Sequence, residues 1–318
     1  AADLFLKSPK DYENLLYTYI KEGYSYPAAR AKAAGHTLSS GENEKDAGML
    51  KIIYEANNIL GIEYMRALRQ INSPIKPATI KRHKAGYHDI TLDIASSEAS
   101  GEDSEISISS ATAIRTVLEK ADAFNNLPAV KSSVPERVYD YLSDNLNFEY
   151  PITVEDFASI IKYKLLSESK ENLAAYLDLS PDLADRIKNT DIINCNILQL
   201  SQKLKTKNIT LTRVNRALIH VLLNIRRETF SEFIGNDIVY YARILGMKRE
   251  ASHLVRKIKK QGDVPVITKV ADAFRQVADT GMKMLSQDIF AAHLYNQIVY
   301  EKFGTVIPNE YKHGVFIL

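Results

Sequence analysis

From residue 136 to 303 the sequence is a succession of short stretches with apolar positions at helical spacing, each opened by a residue suited to cap a helix. Thr153 precedes "VEDFASIIKYKLL", and Ser180-Pro181 precedes "DLADRIKN". A Ser or Thr oxygen accepts from a free first-turn N–H, and Pro suits the first helical position, where its missing N–H has no partner to lose. Alternating strand patterns nearly vanish over the same span. The segment therefore predicts helix packed on helix, with a domain boundary near residue 127, where "NNLPAVKSSVP" interrupts the pattern.

The first 127 residues read differently. Ser8-Pro9 predicts a helix start and Gly23 its stop, Tyr26-Pro27 opens a second short helix ending near Gly35, and residues 41 to 47 are loop-like. In "NNILGIEYMRALRQI", Ile59, Ile62, Tyr64, Leu68 and Ile71 give an apolar face, with Asn57 or Asn58 as cap. Pro74 and Pro77 end that helix, and "ATIKRH" has the β-branched content of a short strand. A Ser-, Glu- and Gly-rich loop follows over 92 to 108, and then "SSATAIRTVLEKADAF" predicts a helix capped by Ser109 or Ser110. Strand, loop and helix in this order describe an α/β piece.

Composition narrows the function classes. A chain of 318 residues is long enough for two domains, and 45% hydrophobic with 25% charged residues is the balance of a folded globular protein. No apolar run approaches the roughly 20 residues that span a bilayer, so no membrane anchor is expected. One cysteine, Cys195, excludes an internal disulfide framework and a Cys-based zinc cluster, which fits a reducing, cytoplasmic setting. The seven histidines are scattered without ligand spacing, so no protein-held metal is expected.

Charge is distributed unevenly behind a formal net charge of +2. Between Ile192 and Arg227 there is no Asp or Glu, while Lys203, Lys205, Lys207, Arg213, Arg216, Arg226 and Arg227 are basic. On "TLTRVNRALIHVLLNIRR", Leu211, Val214, Leu218, Val221, Leu222 and Ile225 form an apolar stripe, and Arg213, Arg216, His220 and Arg227 are expected on another, solvent-facing side. Lys248, Arg249, Arg256, Lys257, Lys259 and Lys260 form a second cluster. Solvated helix faces usually interleave acids with bases, so an acid-free block predicts a polyanion partner.

Three further features lie within sixty residues of one another: the asparagines at 57 and 58, Arg82 on the predicted strand, and the start of the helix carrying Ser110, Thr112 and Arg115. Each alone is explained by capping or solvation. Together they describe a phosphate site, since helix N-termini offer free N–H groups and arginines grip phosphate oxygens with two bonds. ATP is the anion such an arrangement suits.

These stretches carry a resemblance. "YSYPAAR", "NNILGIEYMRAL", "IKPATIKRHKAGYHD" and "SSATAIR" stand in the order and at the spacing of the bacterial tRNA(Met) cytidine acetate ligases, a branch of the HIGH-type nucleotidyltransferases. "LKTKNITLTRVNRALIHVLLNI", "YARILGM" and "VPVITK" resemble that family's helical tail, with "KNIT" in place of its usual Lys-Arg-Tyr-Thr run. The resemblance implies a mainly α chain: residues 1–127 as the C-terminal portion of a Rossmann-like, ATP-binding α/β nucleotidyltransferase domain, and 128–318 as an all-helical tRNA-binding domain. It also implies acetate and ATP as substrates with Mg²⁺, acetyl-adenylate as intermediate, and the wobble cytidine of elongator tRNA(Met) as acceptor, giving N4-acetylcytidine.

By position, Asn57 and Arg82 match the family's ATP contacts, and Ser110, Thr112 and Arg115 its phosphate-side signature. Lys203, Lys205, Lys207, Arg213, Arg216 and Arg227 are the tRNA-binding candidates, and the resemblance assigns no catalytic residue. The family's H-x-G-H motif has no counterpart here, so about 100 residues ahead of Ala1 are expected, and activity of the chain without them is not. Two alternatives stand beside this reading: a non-catalytic tRNA-binding protein, and another adenylyltransferase with a small-molecule acceptor.

Overall fold

The computed structural model describes residues 10–22, 24, 26–39, 52–53, 56–80, 109–119, 123–235 and 238–318. The chain divides into two compact units, Ala1–Arg82 and His83–Leu318. It is mainly helical.

The first unit holds α1 (Lys10–Lys21), α2 (Tyr26–Ser39) and α3 (Ala56–Gln70). Ala31, Ala33 and Ala34 are buried with Tyr12, Ile53 and Ile62, the small side chains letting neighbouring backbones approach. Arg30, also buried, is held by an ion pair to Glu63 of 2.7 Å. Helix α2 runs past Gly35, its predicted end, to Ser39. Burial of the alanines just before the glycine offsets its cost of about 1 kcal/mol in a helix interior.

Helix α3 begins at Ala56, so Asn57 and Asn58 lie inside its first turn rather than at the predicted cap position. Ala56 is the best of helix formers and carries the helix upstream of both asparagines. Beyond α3, residues 73 to 80 are irregular, including the first three of the predicted strand, and Ile80 is almost fully exposed. Proline at 74 and 77 withholds the backbone donors a ladder needs. Ser8-Pro9, Gly23, residues 41–47, Arg82 and the 92–108 loop fall outside the described residues.

Among the described residues the second unit begins with α4 (Ala111–Leu118), seated on a small cluster of Leu118, Leu127, Val130 and Leu146. Ser110 is its cap, accepting from the Ala113 N–H at 3.0 Å, and the Ser109 and Ser133 hydroxyls are joined at 2.9 Å. After α5 (Glu136–Asn145) comes the main core, formed by α6 (Ala158–Ser167), α7 (Lys170–Ala174), α8 (Pro181–Lys188), α9 (Ile197–Leu204) and α10 (Leu211–Leu222).

The caps predicted here are present. Ser180 accepts from the Leu183 N–H at 3.3 Å, and Thr153 forms a reciprocal box with Asp156 ahead of a tight turn, Val154–Phe157. Asn196 makes a similar box with Gln199, while the Glu155 carboxylate accepts from the N–H groups of Ile197 and Leu198, each at 3.0 Å. The free donors at the start of α9 are thereby satisfied, those of Ile197 and Leu198 by Glu155 and that of Gln199 by Asn196.

Two expectations are corrected. Helix α10 ends at Leu222, because Asn224 takes a left-handed conformation (φ 58°), and Arg227 starts a new helix, α11 (Arg227–Gly235). Asparagine tolerates this conformation and terminates helices with it. Arg227 therefore does not extend the row begun by Arg213.

The tail is also not wholly helical. Strand β1 (Ala242–Arg243) pairs in parallel with β3 (Val266–Ile267), and β2 (Gly246–Met247) with β4 (Phe316–Ile317). Strands of two residues are too short to leave an alternating pattern in a sequence. Between them stands α12 (Ser252–Gln261), and the 25-residue α13 (Asp279–Phe303) follows. At Gly281 of α13 an added Cβ would lie 2.6 Å from Val277 Cγ1 and 2.8 Å from Tyr240 Cβ, so the close approach requires glycine.

Ser201 of α9 is 1% exposed in the main core, and its hydroxyl has no hydrogen-bond partner among the described residues. An unpaired buried hydroxyl costs stability that a methyl group does not. Ser201→Ala is expected to raise the unfolding free energy by about 1 kcal/mol in urea denaturation; an unchanged or lowered value would show that the hydroxyl is satisfied in solution.

Candidate functional site

The acid-free block folds around a turn that comes from elsewhere in the chain. Tyr176, Leu177, Asp178 and Leu179 connect α7 to α8, with Asp178 in the left-handed region (φ 63°). Arg216 grips the Asp178 carboxylate with two bonds, Nε to Oδ2 at 2.5 Å and a terminal nitrogen to Oδ1 at 2.9 Å. His220 Nδ1 lies 3.0 Å from the Leu177 carbonyl and 3.5 Å from Asp178 Oδ2. Arg227 donates to the Leu179 carbonyl at 2.8 Å, and the Arg226 guanidinium lies over the Tyr176 ring at 4.8 Å.

The backbone is stitched at the same place. Leu177 N–H donates to the Ile225 carbonyl and Arg227 N–H to the Ala175 carbonyl, both at 3.0 Å. Fully buried Tyr176 places its hydroxyl 2.9 Å from Glu168 Oε1 and 3.1 Å from Asn224 Oδ1. The Arg216 guanidinium first, and more weakly His220 and Arg213, hold the Asp178 carboxyl below the usual carboxylate range against its partial burial. Hydrogen bonds from Lys164 and then Tyr176 lower Glu168 likewise.

The expected solvent-facing row on α10 is thus divided. Arg216 is more than half exposed yet engaged by Asp178, an acid contributed from outside the acid-free block. Charge counted along the chain misses it, because the partner is 38 residues away. No sequence signal marks Asp178, whose role follows from a backbone conformation visible only in the fold.

Lys203, Lys205 and Lys207 are exposed and Arg213 is half-buried; none makes an ion pair among the described residues. The loop carrying Lys205 and Lys207 is folded on Thr206, whose hydroxyl accepts from the N–H groups of Asn208 (3.3 Å) and Ile209 (3.0 Å). Thr210 then caps α10 by accepting from the Arg213 N–H at 3.3 Å. The first turn of α10 contains no acid. Cations at the positive end of a helix oppose its dipole, and an anion bound there relieves both.

On the nucleotide side, Ser110, Thr112 and Arg115 share the start of α4. Arg115 lies exposed with a terminal nitrogen 3.3 Å from the Thr112 hydroxyl, and no acid occupies the first turn. Ser110 Oγ and carbonyl take the Ala113 and Ile114 N–H groups, leaving those of Ala111 and Thr112 with no partner inside the helix. Asn57 is in the first turn of α3, in the other unit, and Arg82 is outside the described residues. Among the described residues no group of His, Cys, Asp and Glu is placed to hold a metal ion, and no helix is long and apolar enough to cross a membrane.

The HIGH Nucleotidyl Transferase family model matches residues 1–306. The chain belongs to this family. Within the nucleotidyl transferases it is 32% identical over 304 residues to the tRNA(Met) cytidine acetate ligase of Caldanaerobacter subterraneus subsp. tengcongensis, covering 95% of this chain and 68% of that one. It is 31% identical over 297 residues to the protein of the same name from Clostridium acetobutylicum, covering 93% and 67%. The chain spans about two thirds of the length of these curated relatives.

The fold matches that of Thermotoga maritima TmcAL in its apo crystal structure, with a TM-score of 0.82 at 21% identity over all of this chain and 73% of that one. A second crystal structure of TmcAL, bound with α-thio ATP, gives 0.79 at 20% identity, over all of this chain and 72% of that one. The two curated relatives are ligases by name, as the sequence predicts.

Arg216→Ala is expected to lower stability by about 1 kcal/mol and Arg213→Ala to change it by less than about 0.5 kcal/mol in urea denaturation. Equal effects would contradict the division of roles. Because the folded pKa of Asp178 is depressed, its contribution is complete above the ordinary carboxyl value of about 3.9 and is lost as pH falls through the lower one. Asp178→Asn should therefore flatten the acid limb of the stability–pH curve below about pH 4, and an unchanged limb would place the titration elsewhere.

Proposed function

We propose that the chain serves ATP-dependent tRNA modification in the cytoplasm: acetate is activated as acetyl-adenylate, and the acetyl group passes to N4 of the wobble cytidine of elongator tRNA(Met). The observation that carries this reading is the collinear match of nearly the whole chain to cytidine acetate ligases. In the first step an acetate oxygen attacks the α-phosphorus of ATP and pyrophosphate leaves. In the second the cytidine N4 attacks the acetyl carbon, AMP leaves and the amine loses a proton.

The residues fit a polyphosphate. The N–H groups of Ala111 and Thr112, which have no partner inside the Ser110-capped helix, the Thr112 hydroxyl and exposed Arg115 offer donors and positive charge together, which is what charge building on departing pyrophosphate needs. We assign Asn57 and Arg82 to ATP with them, within residues 1–127 as the nucleotide-binding part. Mg²⁺ entering with ATP would neutralise phosphate charge and would be held mainly by phosphates and water. Acetate is already a nucleophile at neutral pH, so no general base is required for the first step.

Residues 128–318 are assigned to tRNA. Lys203, Lys205, Lys207 and Arg213 are the direct phosphate contacts, while Arg216 and Arg227, committed to the 178–179 turn, shape the surface from which those contacts project.

The test is acetate-dependent release of pyrophosphate from ATP and appearance of N4-acetylcytidine in elongator tRNA(Met), assayed on the protein as the cell makes it. Arg115→Ala is expected to weaken ATP use about 10- to 100-fold, the value of one charge-assisted phosphate contact, with tRNA affinity unchanged. Pyrophosphate release that ignores acetate would favour a different acyl or small-molecule substrate. Unaltered ATP kinetics in the variant would remove Arg115 from the site.

A further inference from the structure

Helix α12 carries the second basic cluster, and its geometry differs from that of the other charged helices in the unit. His253, Arg256, Lys257 and Lys260 stand at i, i+3, i+4 and i+7, which places all four along one side. All four are exposed, and the helix has no Asp or Glu and no buried residue. Lys259 lies round the helix from this row and donates to the Thr268 hydroxyl at 3.2 Å. His253 uses Nδ1 on the Glu250 carbonyl, which fixes the start of the row.

Four other lysines of the unit are matched to acids. Lys164 meets Glu168 at 2.9 Å, Lys170 meets Asp185 at 2.5 Å, Lys283 meets Glu232 at 2.8 Å and Lys302 meets Asp156 at 2.8 Å. Arg256, Lys257 and Lys260 have no such partner among the described residues, although Glu250 and Asp263 flank the helix. Like charges within one turn repel, so this arrangement costs stability unless an external anion offsets it. Leu254 and Ile258, each about half exposed, border the row and give the long basic side chains an apolar surface to lie on.

We infer that the His253–Lys260 face of α12 is a second docking surface for the RNA phosphate backbone, separate from the loop that carries Lys205 and Lys207. This rests on the tRNA reading above and extends it: the helical unit holds its RNA at two places by charge alone. A phosphate backbone matches the row in sign and in repeat, since successive basic side chains can each neutralise one phosphate. A lipid surface fits less well. Two half-exposed aliphatic side chains and no aromatic residue on a ten-residue helix give too little apolar area for interfacial anchoring. Phosphate contacts position an RNA without reading its sequence, so this face should not distinguish one tRNA from another.

The experiment measures affinity for transcripts of elongator tRNA(Met) and of an unrelated tRNA at several salt concentrations. The proteins are the parent chain, an Arg256→Gln, Lys257→Gln, Lys260→Gln variant, and Lys259→Gln as a control on the same helix. The triple variant is expected to lose about 2 units of the log–log salt slope and at least tenfold in affinity at low salt, equally for both transcripts, with its thermal midpoint unchanged. Lys259→Gln should keep the parental slope.

A triple variant with parental slope and affinity, while a Lys205→Gln, Lys207→Gln variant loses both, would overturn the second surface and leave the proposed function standing. No tRNA binding by the parent would overturn both. Binding of the parent to phosphatidylglycerol vesicles that the triple variant loses, with tRNA affinity intact, would overturn the RNA assignment in favour of a lipid surface.

Discussion

Asp178 is held in a left-handed conformation that costs an L-residue roughly 1 kcal/mol, and the surrounding chain is arranged to hold it there. Arg216 takes its carboxylate, His220 the carbonyl before it, and Arg227 the carbonyl after it. The backbone of 175–177 is bonded to that of 225–227, and Tyr176 fills the space beneath with its hydroxyl between Glu168 and Asn224. This one turn ties α7 and α8 to the middle of α10 and to the chain that leaves its C-terminal end. A partly exposed ion pair alone is worth little; here it is one of several interactions sharing a single turn, so removing one leaves the others misaligned.

The consequence for function is a sorting of cations. Arg216, Arg226 and Arg227 are engaged by the turn, and what remains uncompensated is Lys203, Lys205, Lys207 and Arg213 at the start of α10, with a further row on α12. Both rows lie in the second unit and have no ion-pair partner among the described residues. The helical unit therefore has the character of a positioning surface. The start of α4, where Ser110 caps the helix, two amides have no partner inside it and Arg115 lies exposed beside the Thr112 hydroxyl, is the place proposed for phosphate.

Much of this was legible in the sequence where a local rule decides the outcome. The caps at Ser110, Thr153 and Ser180 depend only on a side-chain oxygen and the next few N–H groups, and the apolar stripe of α10 depends only on spacing. Family membership was legible because many short motifs keep their order. Asp178 was not legible, since neither its left-handed backbone nor its pairing across 38 residues leaves a local mark. The break after Leu222 was missed for a related reason: Asn224 reads as a tolerable helix residue until its φ is known. The four two-residue strands carry too few positions to show a period.

The central claim is that unpaired charge, rather than charge as such, marks the RNA surface of the helical unit. The most direct measurement compares the salt dependence of tRNA affinity in two variants of equal net charge change, Lys205→Gln with Lys207→Gln, and Arg216→Gln with Arg227→Gln. The account predicts that the first pair lowers the log–log slope by about 0.7 to 0.9 for each phosphate no longer neutralised, with stability unchanged. The second pair should lower stability and leave the slope of the folded protein near the parental value. An equal fall in slope for both pairs would contradict the account and return all four side chains to one undivided basic surface.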